Sequence, residues 1–63
     1  MPIVQIHMIE GRPEAVKKAV IEKVTEALVE AGCGPRENIR ILIQELPNTN
    51  WGIAGKSAKD LGR

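Results

Sequence analysis

The sequence predicts an α/β fold of the α+β kind. The expected protomer is β-α-β, with two parallel strands, one helix and a C-terminal hairpin or arm, and it assembles into an oligomer. Three observations predict this. Two apolar runs with strand character, residues 3–9 and 39–46, flank a stretch of helical spacing. A helix from Pro13 to Ala31 would span about 28 Å at 1.5 Å per residue, close to the roughly 26 Å of the second run, so it returns the chain for a parallel, right-handed crossover. The chain has only 63 residues, and a core of that size rarely supplies more than ~3–5 kcal/mol without staples or self-association. A single domain, residues 1–63, accounts for the whole chain.

The first strand reads Ile3-Val4-Gln5-Ile6-His7-Met8-Ile9. Val4, Ile6 and Met8 fall on one face, and Ile3, Gln5, His7 and Ile9 on the other. Pro2 precedes it, directly after the initiator methionine. A small second residue favours removal of Met1, which would leave Pro2 with a free secondary amine aimed by the strand. Such an amine can take and return one proton. Pro is also simply tolerated at the first position of a strand.

Glu10-Gly11-Arg12-Pro13 is a strand-to-helix turn, with Gly11 permitting an unusual backbone angle and Pro13 suited to the first helical position. Val16, Val20, Val24, Ala27, Leu28 and Ala31 then form one apolar stripe. Glu14 complements the helix dipole, and Glu14 and Lys18 stand four apart in the favourable order. Gly32 is a natural C-terminal cap and Pro35 prevents continuation. The second strand is Ile39 to Leu46. Trp51-Gly52-Ile53-Ala54-Gly55 suggests a short hairpin or extended arm, and residues 56–63 a helical turn or a frayed tail.

A two-stranded parallel sheet has two faces, and one helix covers one of them. Parallel sheets occur almost only with both faces buried, and each large aliphatic side chain left wet costs about 1.5–3 kcal/mol. A homo-oligomer follows, with any site built from more than one subunit.

Composition narrows the function classes. Nine Lys and Arg balance eight Asp and Glu, for a net charge of +1. The basic residues form no run and there is no Phe or Tyr to stack on bases, which argues against nucleic acid. No apolar run is long enough to span a membrane. Cys33 is the sole cysteine, which excludes an internal disulfide. His7 and Cys33 are too few soft ligands for a structural zinc, so no metal and no cofactor are expected. The lone cysteine and the lack of an export signal fit a cytoplasmic location.

Five residues invite a chemical reading. Arg40 interrupts the aliphatic second strand; it is either half of an ion pair, with Glu10 or Glu45, or a fork for a substrate carboxylate. Arg12 is a solvated loop charge or an anion clamp at the helix start. Trp51, the only aromatic residue, is an interface anchor, an apolar wall, or both. His7 reads as structural or solvent-facing, and Cys33 as a loop filler.

Together these residues resemble the 4-oxalocrotonate tautomerase family. The resemblance runs through Pro2–Arg12, Ile39–Glu45 and Trp51–Gly55 and covers essentially the whole chain. It implies a hexamer built as a trimer of dimers, a place in aromatic hydrocarbon catabolism and a small enol or oxo dicarboxylate as substrate. It implies Pro2 as general base and acid converting 2-hydroxymuconate, or a related dienol acid, to its conjugated 2-oxo isomer. Arg12 would bind the distal carboxylate. Arg40 would bind the near carboxylate and the 2-oxo or enol oxygen. Trp51 stands where Phe is typical, and Ile9 matches an aliphatic pocket position. Two rival functions remain: hydrolytic dehalogenation of haloacrylates on the same fold, with Glu45 the candidate carboxylate near Arg40 in sequence, and a non-catalytic oligomeric binding module.

Overall fold

The computed structural model describes residues 1–63. Strand β1 (Ile3–Ile9), helix α1 (Glu14–Ala31) and strand β2 (Arg40–Leu46) form the β-α-β unit, followed by a hairpin of β3 (Gly52–Ile53) and β4 (Lys56–Ser57). Short 3₁₀ turns, Arg36–Asn38 and Asn48–Asn50, link these elements. β1 and β2 pair in parallel, from Ile3 opposite Arg40 to Ile9 opposite Leu46. The ladder is closed at both ends: the Arg40 N–H donates to the Pro2 carbonyl at 3.1 Å, and the Glu10 N–H donates to the Leu46 carbonyl at 2.8 Å. No helix is long and apolar enough to cross a membrane.

Helix boundaries follow from local chemistry. Pro13 is the N-cap and not the first helical residue, because its ψ of 158° is extended. Its carbonyl accepts from the Val16 and Lys17 N–H groups. At the far end Gly32 adopts φ 92°. Its N–H donates to Val29 and that of Cys33 to Leu28, the paired bonds of a Schellman stop. Ile39 ends the 3₁₀ turn rather than beginning β2.

The apolar stripe of α1 is narrower than its spacing suggests. Val20, Val24 and Leu28 are half-buried, whereas Val16, Ala27 and Ala31 are exposed. Two strands offer the helix only a slim surface, so its flanks stay open. Glu14 and Lys18 form no ion pair; Lys17 instead reaches Glu45 across the α1–β2 contact at 2.8 Å. Arg36 pairs with Glu26. On the face of the sheet away from the helix, Ile3 is 60% and Leu42 50% exposed.

Only Ile39 and Ala58 are buried. The radius of gyration is 14.5 Å, against about 11 Å for a compact domain of this length. The accessible surface is 4675 Å², against about 4,000 Å² for a monomer of this mass. The protomer has the dimensions of a piece of a larger body.

The C-terminal segment is tied down, not frayed. The Ala58 N–H donates to the Trp51 carbonyl at 2.7 Å, which closes the hairpin beneath a fully buried Ala58. Its two-residue turn has φ 52° at Ala54 and φ 85° at Gly55, the type I′ signature. Ala54 is the only non-glycine residue with positive φ, a conformation that Asn tolerates better. Ala54→Asn should therefore stabilise the protein by about 0.5–1 kcal/mol, read as a higher urea midpoint at fixed protein concentration.

Candidate active site

The expected site residues do not form one cluster within a single chain. They form two. Pro2 and Arg40 lie together at the start of the parallel ladder, joined by the backbone bond between them. Ile9 ends β1 at its opposite end, and Arg12 follows in the turn to α1. From Pro2 to Ile9 the extended backbone covers roughly 23 Å at 3.3 Å per residue. No small diacid bridges that length.

The first half-site is half-open. Pro2 is partly buried behind an exposed Met1. The Arg40 side chain is exposed and folds back on its own loop, Nη1 donating to the Glu37 carbonyl at 2.7 Å and the Ile39 carbonyl at 3.4 Å. Arg40 has no carboxylate partner, so the expected ion pair with Glu10 or Glu45 is not formed. Strand alternation explains the second of these. Arg40, Leu42 and Gln44 share the face away from the helix, while Ile41, Ile43 and Glu45 face α1. Glu45 is held there by Lys17, which removes it from any role beside Arg40 within the chain.

The second half-site is a cleft of about 290 Å³. Ile9, Met8, Trp51 and Ile53 give it an apolar wall, and Arg12, Arg63 and His7 supply its polar lining. Gly11, at φ 124°, turns the chain out of β1. Arg12 Nη1 then donates back to the Ile9 carbonyl at 3.1 Å, which holds the guanidinium near the mouth. Trp51 is half-buried between the second 3₁₀ turn and β3. Arg12, Ile9 and Trp51 thus line one cleft, apart from Pro2 and Arg40. His7 is exposed, as expected, but also lines this cleft. Arg63 and Ile53 were not anticipated. The only signal for Arg63 was Gly62 before it, a residue type that often ends a helical turn.

No three His, Cys, Asp or Glu side chains converge. Cys33 is exposed with a free thiol. The expected residues offer an amine, if Met1 is removed, and guanidinium groups beside an apolar wall. Cationic lining with apolar walls suits a hydrocarbon chain carrying carboxylates, because Arg binds carboxylate in a planar, bidentate manner.

The family model described as tautomerase enzyme matches residues 2–61. A 2-hydroxymuconate tautomerase from Pseudomonas putida is 68% identical over the full length of both chains. A solved 4-oxalocrotonate tautomerase isozyme from Methylibium petroleiphilum superposes with a TM-score of 0.93 at 58% identity, covering 98% of this chain and 100% of its own. A heterohexameric 4-oxalocrotonate tautomerase from Chloroflexus aurantiacus J-10-fl superposes with a TM-score of 0.91 at 33% identity, covering 97% and 98%.

Trp51 reports on the cleft because it is the sole aromatic residue. A saturated dicarboxylate such as adipate should change its emission on titration. Arg12→Ala should raise the half-saturation concentration roughly tenfold, the scale of one charge-assisted hydrogen bond.

Proposed function

This chain belongs to the tautomerase family, and we propose that it converts 2-hydroxymuconate, or a related dienol acid, to the conjugated 2-oxo acid with Pro2 as the proton carrier. It is an isomerase. The full-length similarity to the P. putida 2-hydroxymuconate tautomerase is the observation that most supports this substrate.

The chemistry moves one proton. With Met1 removed, the neutral Pro2 amine takes the proton from the 2-hydroxy group of the dienol. The electron pair shifts along the conjugated chain as the oxygen becomes a carbonyl. The prolyl ammonium then returns its proton to a carbon farther along, which gives 2-oxo-3-hexenedioate. A general base works best with a pKa near the working pH, and a secondary amine is ordinarily too basic. A neighbouring cation disfavours the ammonium and favours the neutral amine. Arg40, on the adjacent strand, supplies one such cation and stabilises negative charge on the 2-oxygen as it develops. Arg12 binds the distal carboxylate, and Ile9 and Trp51 pack on the hydrocarbon.

Pro2 and Arg12 lie too far apart along β1 to serve one substrate from the same chain. We assign them to neighbouring protomers, in a hexamer arranged as a trimer of dimers that acts in the cytoplasm. The uncovered sheet face and the extended shape of the protomer support self-association, as does the heterohexameric relative. A haloacrylate hydrolase would need a carboxylate to activate water. Glu45, bound to Lys17 on the helix side, is poorly placed for that.

Native mass spectrometry should give a subunit mass lacking methionine and a hexameric assembly. Pro2→Ala should lower kcat by about 10²–10⁴, the range of general acid–base catalysis. Arg40→Ala should lower kcat by about 10²–10³. Glu45→Gln should keep turnover within about twofold and cost about 1 kcal/mol of stability. Full activity in a protein that retains Met1 would contradict the role given to Pro2.

A further inference from the structure

We propose that Arg63 is a substrate-binding residue, a second guanidinium that joins Arg12 in holding the distal carboxylate and so selects dicarboxylates over monocarboxylates. The inference rests on the cleft being an enol-diacid site.

Arg63 is placed by a built turn. The Leu61 N–H donates to Ser57 and Ala58, that of Gly62 to Lys59, and that of Arg63 to Ala58 at 2.8 Å. The last two are the paired bonds of a Schellman turn, with Gly62 at φ 77° in the left-handed position. That turn reverses the chain and brings Arg63 onto the cleft wall. The Arg63 carbonyl accepts a second tie, from Asn48 Nδ2 at 3.0 Å. Both backbone polar groups of Arg63 are therefore anchored, one of them on Ala58, which is 0% exposed. The side chain starts from a fixed point.

Charge in the cleft points the same way. The two ion pairs of the chain engage Lys17 with Glu45 and Arg36 with Glu26. Arg63 is in neither, and no Asp or Glu side chain lines the cleft. Two guanidinium groups lining one cleft give an anion two positive partners. A carboxylate has two oxygens and about four lone-pair sites, enough for two Arg forks. A ligand with a methyl group at that end would offer neither guanidinium a partner.

The test is isothermal calorimetry on the intact assembly with trans,trans-muconate and with sorbate, which has the same carbon chain with a methyl group in place of one carboxylate. The unaltered protein should prefer muconate. Arg63→Ala should weaken muconate binding about five- to thirtyfold, a charge-assisted hydrogen bond discounted for exposure, and the muconate-to-sorbate preference should fall by the same factor. Arg63→Lys should recover part of it, since the charge returns without the planar fork. Arg36→Ala, which removes a cation elsewhere, should leave the preference intact. An unchanged preference in Arg63→Ala, or an equal loss in Arg36→Ala, overturns the assignment. Calorimetry reads binding whether or not turnover occurs. Failure to isomerise 2-hydroxymuconate would sink the tautomerase substrate, and an unchanged preference would sink Arg63.

Discussion

Parallel pairing of β1 with β2 is the constraint on which the rest depends. A parallel ladder needs a long crossover, and α1 supplies it. The crossover sets Arg40 opposite Ile3, and so places the second strand's cation beside the chain's first residues. The same strand carries Ile9 to the other end of the sheet, and the Glu10–Pro13 turn leaves Arg12 there. A substrate contacting both Pro2 and Arg12 must therefore lie between chains. The separation follows from strand length alone and owes nothing to side-chain detail.

Stability and chemistry share this requirement. A protomer with two buried residues falls well short of a core that outweighs chain entropy. The open sheet face, with Ile3 and Leu42 exposed, sits between the half-sites at the two ends of the sheet. Cover for that face would stabilise the chain, and under the proposed division of Pro2 and Arg12 between protomers assembly would also complete the active site. A variant that weakens association should lose activity and stability together.

Much of this was legible in the sequence because the signals were local. Strand alternation in residues 3–9, Gly32 followed by Pro35, and Arg40 among isoleucines each reflect a short-range rule. Strand β1 has the expected bounds. What was not legible depended on how much surface each element finds. The apolar stripe of α1 gave no hint that Val16, Ala27 and Ala31 would stay exposed, because that follows from the narrowness of a two-stranded sheet. Lys17 to Glu45 spans helix and strand and has no sequence signature. Arg63 was hidden for a related reason. Its position is set by Gly62, Ala58 and Asn48 acting together, and a polar run at a chain end looks the same whether anchored or loose.

The central claim, that one substrate is held by residues of different chains, has a direct measurement. Pro2→Ala and Arg12→Ala proteins are each purified, then unfolded and refolded together, with mixed assemblies verified by native mass spectrometry. If Pro2 and Arg12 of a site come from different protomers, about a quarter of the sites in a random mixture recover both native residues. Turnover of 2-hydroxymuconate then rises above the average of the two unmixed variants. If one chain supplies both residues, no site is repaired, and turnover that stays at that average in verified mixed assemblies contradicts the claim.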